Sequence, residues 1–565
     1  MISTKVLRRF TAALLAASLL TASGAQEQKN SPKPDEQPAA RFTARSELVL
    51  VPAVVTDRSG AHIPNLTKDD FIVEQNGVEQ KIAAFEEIKA TAAPVVRPRL
   101  PQGVFSNLSP VNFQPRRINI IVLDTINTEF TDQAWARREL LKYLAESVNT
   151  GDLTTLLTLH RGGIRVVHDF TTDPAVLVAA LKRVRGAPGM SEGENTIAAD
   201  DPTAALSSDA VAAESDQLQA MISQMEARSA RMMRGFSIQY TLDAFQTIAR
   251  AYAGVPGRKA LIWMTGSFPF PMDQPGDVDS RSFGGQFEHV FQLLNDANIA
   301  LYPVDARGLV TLGPSAASSL RPNPRNPGAM MASQVRTHMS TISTMQTFAA
   351  MTGGEAFYNT NDLNRAVRRA SEDSSAYYML AYYLKPEPED AKKKRDPWRK
   401  LTVKVKRSGA HVRARSGFYI QPPAADEQTA RTRDLRSAVT SPLDYTALPL
   451  QLRFGAQRPA GKKRAVEFEI NVAANAVSID VADNNHLSLE VVAMVSTPES
   501  SLADNFRETI EGHVKPENRQ KIMSSGITYR NLLNVAPGEY SVKLVVRDNL
   551  SGRMGSLQAP LTVSP

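Results

Sequence analysis

Oxygen-bearing side chains close three apolar runs of this chain. INIIVL leads into Asp124 with Asn127 and Thr128 just beyond, KALIWM leads into Thr265 with Ser267 following, and IALYPV leads into Asp305. Carboxylate and hydroxyl oxygens gathered at strand ends are the donor types that a hard cation such as Mg2+ or Ca2+ takes. The same groups also cap loop N–H groups or recognise a partner by hydrogen bonding. Asp124, Asn127, Thr128, Thr265, Ser267 and Asp305 are therefore the binding-loop candidates, and Asp124 and Thr128 the candidate metal ligands. A lone carboxylate at a strand end more often satisfies the loop after it, and that is the favoured reading of Asp124 and Asp305. No cofactor is expected, save weak Mg2+ or Ca2+.

Catalytic patterns are thin. The chain has no His-Glu-x-x-His, phosphate-binding loop or dinucleotide fingerprint, and its eight histidines stand singly. One Gly-x-Ser-x-Gly match, Gly189, Ser191 and Gly193, opens a polar stretch instead of joining a buried strand to a helix, so it reads as a loop. His160 and His168 flank a hairpin near Asp169 without a nucleophile beside them. With no cysteine in 565 residues, thiolate metal sites, cysteine nucleophiles and disulfides are all excluded. No catalytic residue is assigned.

The elements that must position these side chains follow an α/β rhythm. INIIVLD, KALIWMT and IALYPVD are continuous apolar strands, and amphipathic helices are expected after each. LTTLLTLH and IRVVHDF, joined at Arg161-Gly162-Gly163, read as a hairpin, and Asp173-Pro174 opens a helix carrying Leu177, Leu181 and Val184. Residues 187–235, rich in Ala, Ser, Glu and Met, read as a partly helical surface insertion whose Met221, Met225, Met232 and Met233 suit either packing or a partner. AYYMLAYYL at 376–384 reads as a strand whose Tyr377, Tyr378, Tyr382 and Tyr383 belong to sheet packing.

The flanks read differently. Residues 1–25, with Lys5, Arg8 and Arg9 before an apolar run and small residues at its end, are expected to be a signal peptide, and 26–41 a flexible leader. Removing those three cations lowers the formal net charge from +7 to +4, too little to argue for nucleic acid. No later run is apolar enough to cross a bilayer, so no integral membrane segment is expected after signal removal. Residues 42–90, with an Asn76-Gly77 hairpin signal, are expected to form a small β module, and 91–116 a linker. The α/β domain is expected over 117–385 and a β-hairpin extension over 386–420, with its charges on a solvated face and its turn at Ser408-Gly409. A second linker, 421–440, precedes a β-sandwich over 441–565, Ig-like or fibronectin-like.

DFIVEQNG at 70–77, INIIVLDTINTEF at 118–130, HDFTTD at 168–173, KALIWMTGS at 259–267, IALYPVDARG at 299–308, MTGGEAFY at 351–358 and VRARSGFYI ending at 420 occur in one order. This constellation resembles the von Willebrand factor A-like domain of secreted bacterial proteins. The resemblance covers about residues 42–420 and implies a doubly wound, mostly parallel Rossmann-like sheet used for binding or assembly, without turnover. In that family an aspartate is followed at alternate positions by two serines that hold a divalent ion. Here Asp124 matches, Ile126 takes the first serine position and Thr128 the second. The family's later aspartate is missing, with Thr265 and Ser267 at that level, and Thr196 is a weak match to its remaining threonine. Asn127 either points inward through an altered loop or supports the turn.

These readings converge on a non-catalytic protein-binding or assembly protein, secreted or periplasmic, working through the strand-end loops of the α/β domain. Its expected partner is a protein or an envelope component, and homo-oligomerisation is compatible with the sequence. The alternatives are an envelope-associated hydrolase with a noncanonical site and a structural, self-associating envelope protein.

Overall fold

The computed structural model describes residues 48–90, 100–107, 117–146, 152–186, 189, 209–268, 278–309, 327–384, 397–420, 427–474 and 476–565. The signal peptide and leader expected over 1–41 lie outside these residues, as do Ser191, Gly193, Thr196 and most of the first half of the expected insertion.

The three apolar strands are buried along their whole length because they are covered on both faces. Ile118–Asp124, Lys259–Thr265 and Ile299–Asp305 join Leu153–His160 and Gly163–Thr171 in one five-stranded sheet. From edge to edge the order is Ile299–Asp305, Lys259–Thr265, Ile118–Asp124, Leu153–His160, Gly163–Thr171. Four strands are parallel, and the last runs antiparallel as the return arm of the expected hairpin. Pleat alternation sends Ile118, Ile120 and Val122 to one face and Ile121 and Leu123 to the other.

The first face packs on the helices Asp209–Tyr252, Val278–Asp296 and Pro327–Thr352 through Phe245, Phe291 and Phe348 around Trp263. The second packs on Phe130–Glu146, Pro174–Lys182 and Leu363–Ser375 through Leu140, Leu181 and Val367. Asp173 caps the helix Pro174–Lys182 by accepting from the Ala175 N–H at 2.9 Å, as the Asp-Pro pair predicts. The latter half of the expected insertion is continuous with the helix foreseen at Ile238, so 44 residues form one helix.

The residues expected as a separate N-terminal module do not stand alone. Leu48–Thr56 lies between Ala376–Tyr383 and His411–Arg413, and Ala376–Tyr383 continues to Ile82–Lys89. A second sheet runs Gly417–Tyr419, Trp398–Val405, Phe71–Gln75, Val78–Gln80. The two sheets enclose Val51, Phe71, Val73, Tyr378, Leu380 and Leu401 in one core. The four strands of the expected module contribute only two to each sheet, Leu48–Thr56 and Ile82–Lys89 not even adjacent, so 40-odd residues bury too little to hold themselves and strands about 300 residues later complete both sheets.

The boundary expected near 385 thus divides strands of one sandwich. The strands on either side of Ser408-Gly409 are not a hairpin either, since Trp398–Val405 and His411–Arg413 lie in different sheets. Lys400 and Lys404 do face solvent while Leu401 and Val403 are buried. Tyr377, Tyr378 and Tyr382 are buried and Tyr383 is exposed.

Both expected linkers contain structure. Val104–Ser106 is an edge strand against Leu450–Ala460, clamped by the buried Asn107, whose side chain bonds the Tyr445 and Leu448 carbonyls and the Leu450 N–H. Residues 427–440 form a helix that buries Leu435 and Ala438 against the α/β core. Prolines and the absence of a sustained period concealed the first, a three-residue strand, and a mostly polar sequence with one short buried stripe concealed the second. Beyond them, two four-stranded antiparallel sheets pack face to face over Leu452, Phe468, Val491 and Leu544. Among the described residues no helix is long and apolar enough to cross a membrane.

Candidate functional site

Strand order decides where the candidate residues meet. From the central strand Ile118–Asp124 the chain passes to Leu153–His160 on one side, then returns to Lys259–Thr265 on the other. At such a reversal the two connections leave the sheet in opposite directions and open a crevice at the carboxyl ends, where α/β sheets bind ligands. Asp124, Thr265 and Asp305 end three adjacent strands, with Asp305 paired in register to Thr265.

Asp124 is buried, and its carboxylate accepts five hydrogen bonds. Oδ1 takes the N–H groups of Ile126 at 2.9 Å and Asn127 at 3.0 Å. Oδ2 takes Asn127 Nδ2 at 2.6 Å, Trp263 Nε1 at 2.9 Å and Thr265 Oγ1 at 3.0 Å. Burial pushes this carboxyl above the ordinary aspartate range, against the downward pull of Asn127, Thr265 and Trp263. A proton on it would find only the Thr265 hydroxyl to accept it, because the other four donors have no lone pair to offer.

The loop after Asp124 is fastened by its own side chains. Asn127 Nδ2 also donates to Thr241 Oγ1 at 3.0 Å, and its Oδ1 accepts from the Ser237 hydroxyl, tying the loop to the long helix. Thr128 Oγ1 accepts from the Gly266 N–H at 2.8 Å, and the Ser267 N–H donates to the Asn127 carbonyl at 2.8 Å. A Cβ at Gly266 would stand 3.1 Å from Thr128 Cα, so the two strand-end loops touch backbone to backbone. The Ser267 hydroxyl lies 3.5 Å from Thr341 Oγ1. Of the two readings of Asn127, inward pointing and turn support, the geometry combines both: its amide turns inward, toward Asp124.

Asp305 is held differently. Its carboxylate accepts from Arg307 Nε at 2.9 Å and Nη2 at 2.8 Å, as well as from the Arg307 N–H at 3.0 Å. Arg307 Nη2 also lies 3.3 Å from His338 Nδ1. Asp305 thus answers a loop N–H, as expected, and in addition a guanidinium fork two residues on.

The residues at Asp124 do not fit a divalent cation. Ile126, at the first serine position of the family pattern, is buried in the apolar core. Both carboxylate oxygens already face donors, and the Thr128 hydroxyl oxygen faces the Gly266 N–H. The space bordered by Asp124, Thr125, Thr128 and Gln133 is about 30 Å³.

Trp263, Thr241, Ser237 and Arg307 escaped the sequence reading. Trp263 sits inside an apolar strand, where its indole looks like core. Its N–H is the missed signal, since a buried Trp needs an acceptor and the neighbouring strand ends in a carboxylate. Thr241 and Ser237 are one helical turn apart on a helix 110 residues away in sequence, which no local pattern reveals. Arg307 was legible as Asp305-Ala306-Arg307.

The two histidines do not assemble a catalytic pair. His160 Nδ1 accepts from the Gly162 N–H at 2.9 Å, and His168 Nδ1 lies 2.6 Å from the Asp169 carbonyl, so each ring serves its own hairpin backbone. Burial, then Arg165, pull the His160 imidazole below its ordinary value.

No family model and no curated protein matches the chain. Among solved structures, a Bacteroides uniformis β-glucuronidase matches at 10% identity over 33% of this chain and 19% of that one, with a TM-score of 0.15. A β-glucuronidase from glycoside hydrolase family 2 matches at 8% identity over 20% of this chain and 11% of that one, with a TM-score of 0.14. The chain spans less than a fifth of the length of these enzymes, and a likeness this low carries no argument about fold or activity.

Proposed function

We propose that this chain is a non-catalytic binding or assembly protein whose α/β unit is von Willebrand factor A-like and whose recognition surface is the carboxyl edge of the parallel sheet. The observation that carries the reading is the strand-end arrangement itself. Three strand ends and their loops converge at the sheet's reversal point, yet the carboxylates there are consumed by internal hydrogen bonds instead of facing a reacting centre. The mostly parallel sheet covered by helices on both faces supports the family resemblance, and the two sandwiches packed against the α/β core support a role as a display platform. The function is assigned to an extracytoplasmic compartment on the sequence of residues 1–25. The partner class is a protein or envelope component.

Site-directed photo-crosslinking in the native host tests this. A crosslinking residue at Phe130 or Leu309, 52% and 57% exposed beside the strand ends, is expected to capture a discrete partner. The same residue at Val481 or Leu532, equally exposed on the C-terminal sandwich, is expected not to. Capture from all four positions alike, or from none, defeats the proposal, and adducts only with a second copy favour the self-association reading.

A further inference from the structure

The hairpin and the helix after it bound a cleft of about 1010 Å³ at the same sheet edge, on the side away from Asp305. Its charge is one-sided. Arg161, Arg165, Arg183 and Arg185 line it together with His160 and His168, and none of its described lining residues is acidic. Among the described residues, no carboxylate forms an ion pair with any of the four arginines. Arg183 and Arg185 follow the C-terminus of the helix Pro174–Lys182, where cations complement the helix dipole and need no ligand. Arg161 and Arg165 have no such reason to be there. They project from a hairpin, and the Arg165 charge already disfavours protonation of His160. Between the cations the cleft is aliphatic, with Val166, Val176, Ala179, Ala180 and Val184.

We propose that this cleft binds an acidic protein segment in which carboxylates alternate with aliphatic side chains. The inference rests on the reading of this edge as a recognition surface and names the chemistry of its partner. Unpaired guanidinium groups are forks for carboxylates. The aliphatic wall is the part that a purely anionic ligand leaves unused, and it favours a peptide over a sulfated glycan. The volume lies at the upper end of ligand clefts, far more than one small anion fills.

The test uses the full chain and fluorescence anisotropy with a short labelled peptide of alternating glutamate and valine. Saturable binding is expected, weakening about tenfold when glutamine replaces glutamate and again as salt rises from about 50 to about 300 mM. Arg165→Glu with Arg183→Glu is expected to weaken it by about tenfold or more, since both side chains are exposed and the fold does not depend on them. Val176→Ser, which removes part of the wall and leaves every charge, is expected to cost a few-fold. Thermal melting of each variant checks the fold.

No binding, equal binding of the glutamine peptide, or indifference to the arginine reversals overturns the proposal. Equal binding of polyglutamate or of a heparin oligosaccharide also overturns it, showing an unselective cationic surface. Partner capture from Phe130 or Leu309 with no peptide binding rejects this cleft and leaves the recognition surface standing, so the two failures are distinguishable.

Discussion

Asp124→Ala separates a structural hub from a cation ligand. The change removes the acceptor of five hydrogen bonds. Asn127 Nδ2 keeps Thr241 and the Thr265 hydroxyl can rotate, so the donors left stranded are Trp263 Nε1 and the N–H groups of Ile126 and Asn127. At about 1–3 kcal/mol for each orphaned buried donor the gross cost is about 3–9 kcal/mol. Two effects offset it. A buried carboxylate no longer has to be desolvated, and water can enter the adjoining space of about 30 Å³ to satisfy one or two donors. We expect a net loss of about 2–4 kcal/mol. Asp124→Asn should cost a similar amount, because either amide orientation turns its NH2 toward two or three donors.

Because several folded units are present, a single unfolding free energy is not defined, and local readouts serve better. Hydrogen exchange at Ile126 and Asn127 and the calorimetric transition of the α/β unit are the assays, the latter expected to fall by about 5–15 °C. Burial raises the folded carboxyl above its unfolded value, so the folded state holds that proton more tightly. The contribution is therefore fully present below the ordinary aspartate value and lost as pH rises through the folded one, and Asp124→Asn should lack this slope. A variant that melts at or above the wild-type temperature in chelator would refute the reasoning, because an empty ligand site gains stability when its buried charge is removed.

Calorimetric titration with Mg2+ or Ca2+ should show no site of micromolar or tighter affinity that Asp124→Ala abolishes; such a site would restore the ligand reading. Lys259 is buried with its Nζ on the Val255 and Gly257 carbonyls, and burial pushes it down to about 7 from 10.5. The unfolded chain then binds the extra proton between those values, so stability should rise with pH across that window, and Lys259→Met should flatten the difference. Asp434 accepts from the half-buried Arg250 at 2.7 Å and the buried Arg547 at 3.5 Å, and Asp434→Ala should cost about 1.5–3 kcal/mol and expose the helix Glu427–Thr440 to protease. A Cβ at Gly254 would stand 1.9 Å from the Thr446 carbonyl oxygen, so Gly254→Ala should cost at least about 1–3 kcal/mol and loosen the loop into the C-terminal sandwich, read by hydrogen exchange at Thr446.

The amino-acid sequence by itself determined the elements. Continuous apolar runs marked the parallel strands, Asn76-Gly77 and Arg161-Gly162-Gly163 marked hairpins, Asp173-Pro174 marked a helix start, and oxygen side chains marked the strand ends. These are local properties, set by a residue and its near neighbours. Only the tertiary structure decided the partners. Leu48–Thr56 pairs with a strand more than 300 residues on, Trp263 reaches Asp124 across 139 residues, and the basic cleft draws on three segments of the chain. The physical reason is that an apolar face, an indole N–H or a carboxylate states what it must bury or bond but not which of many equivalent partners will meet it. Chain topology makes that choice, and here it turned a cation-like oxygen cluster into a closed set of hydrogen bonds.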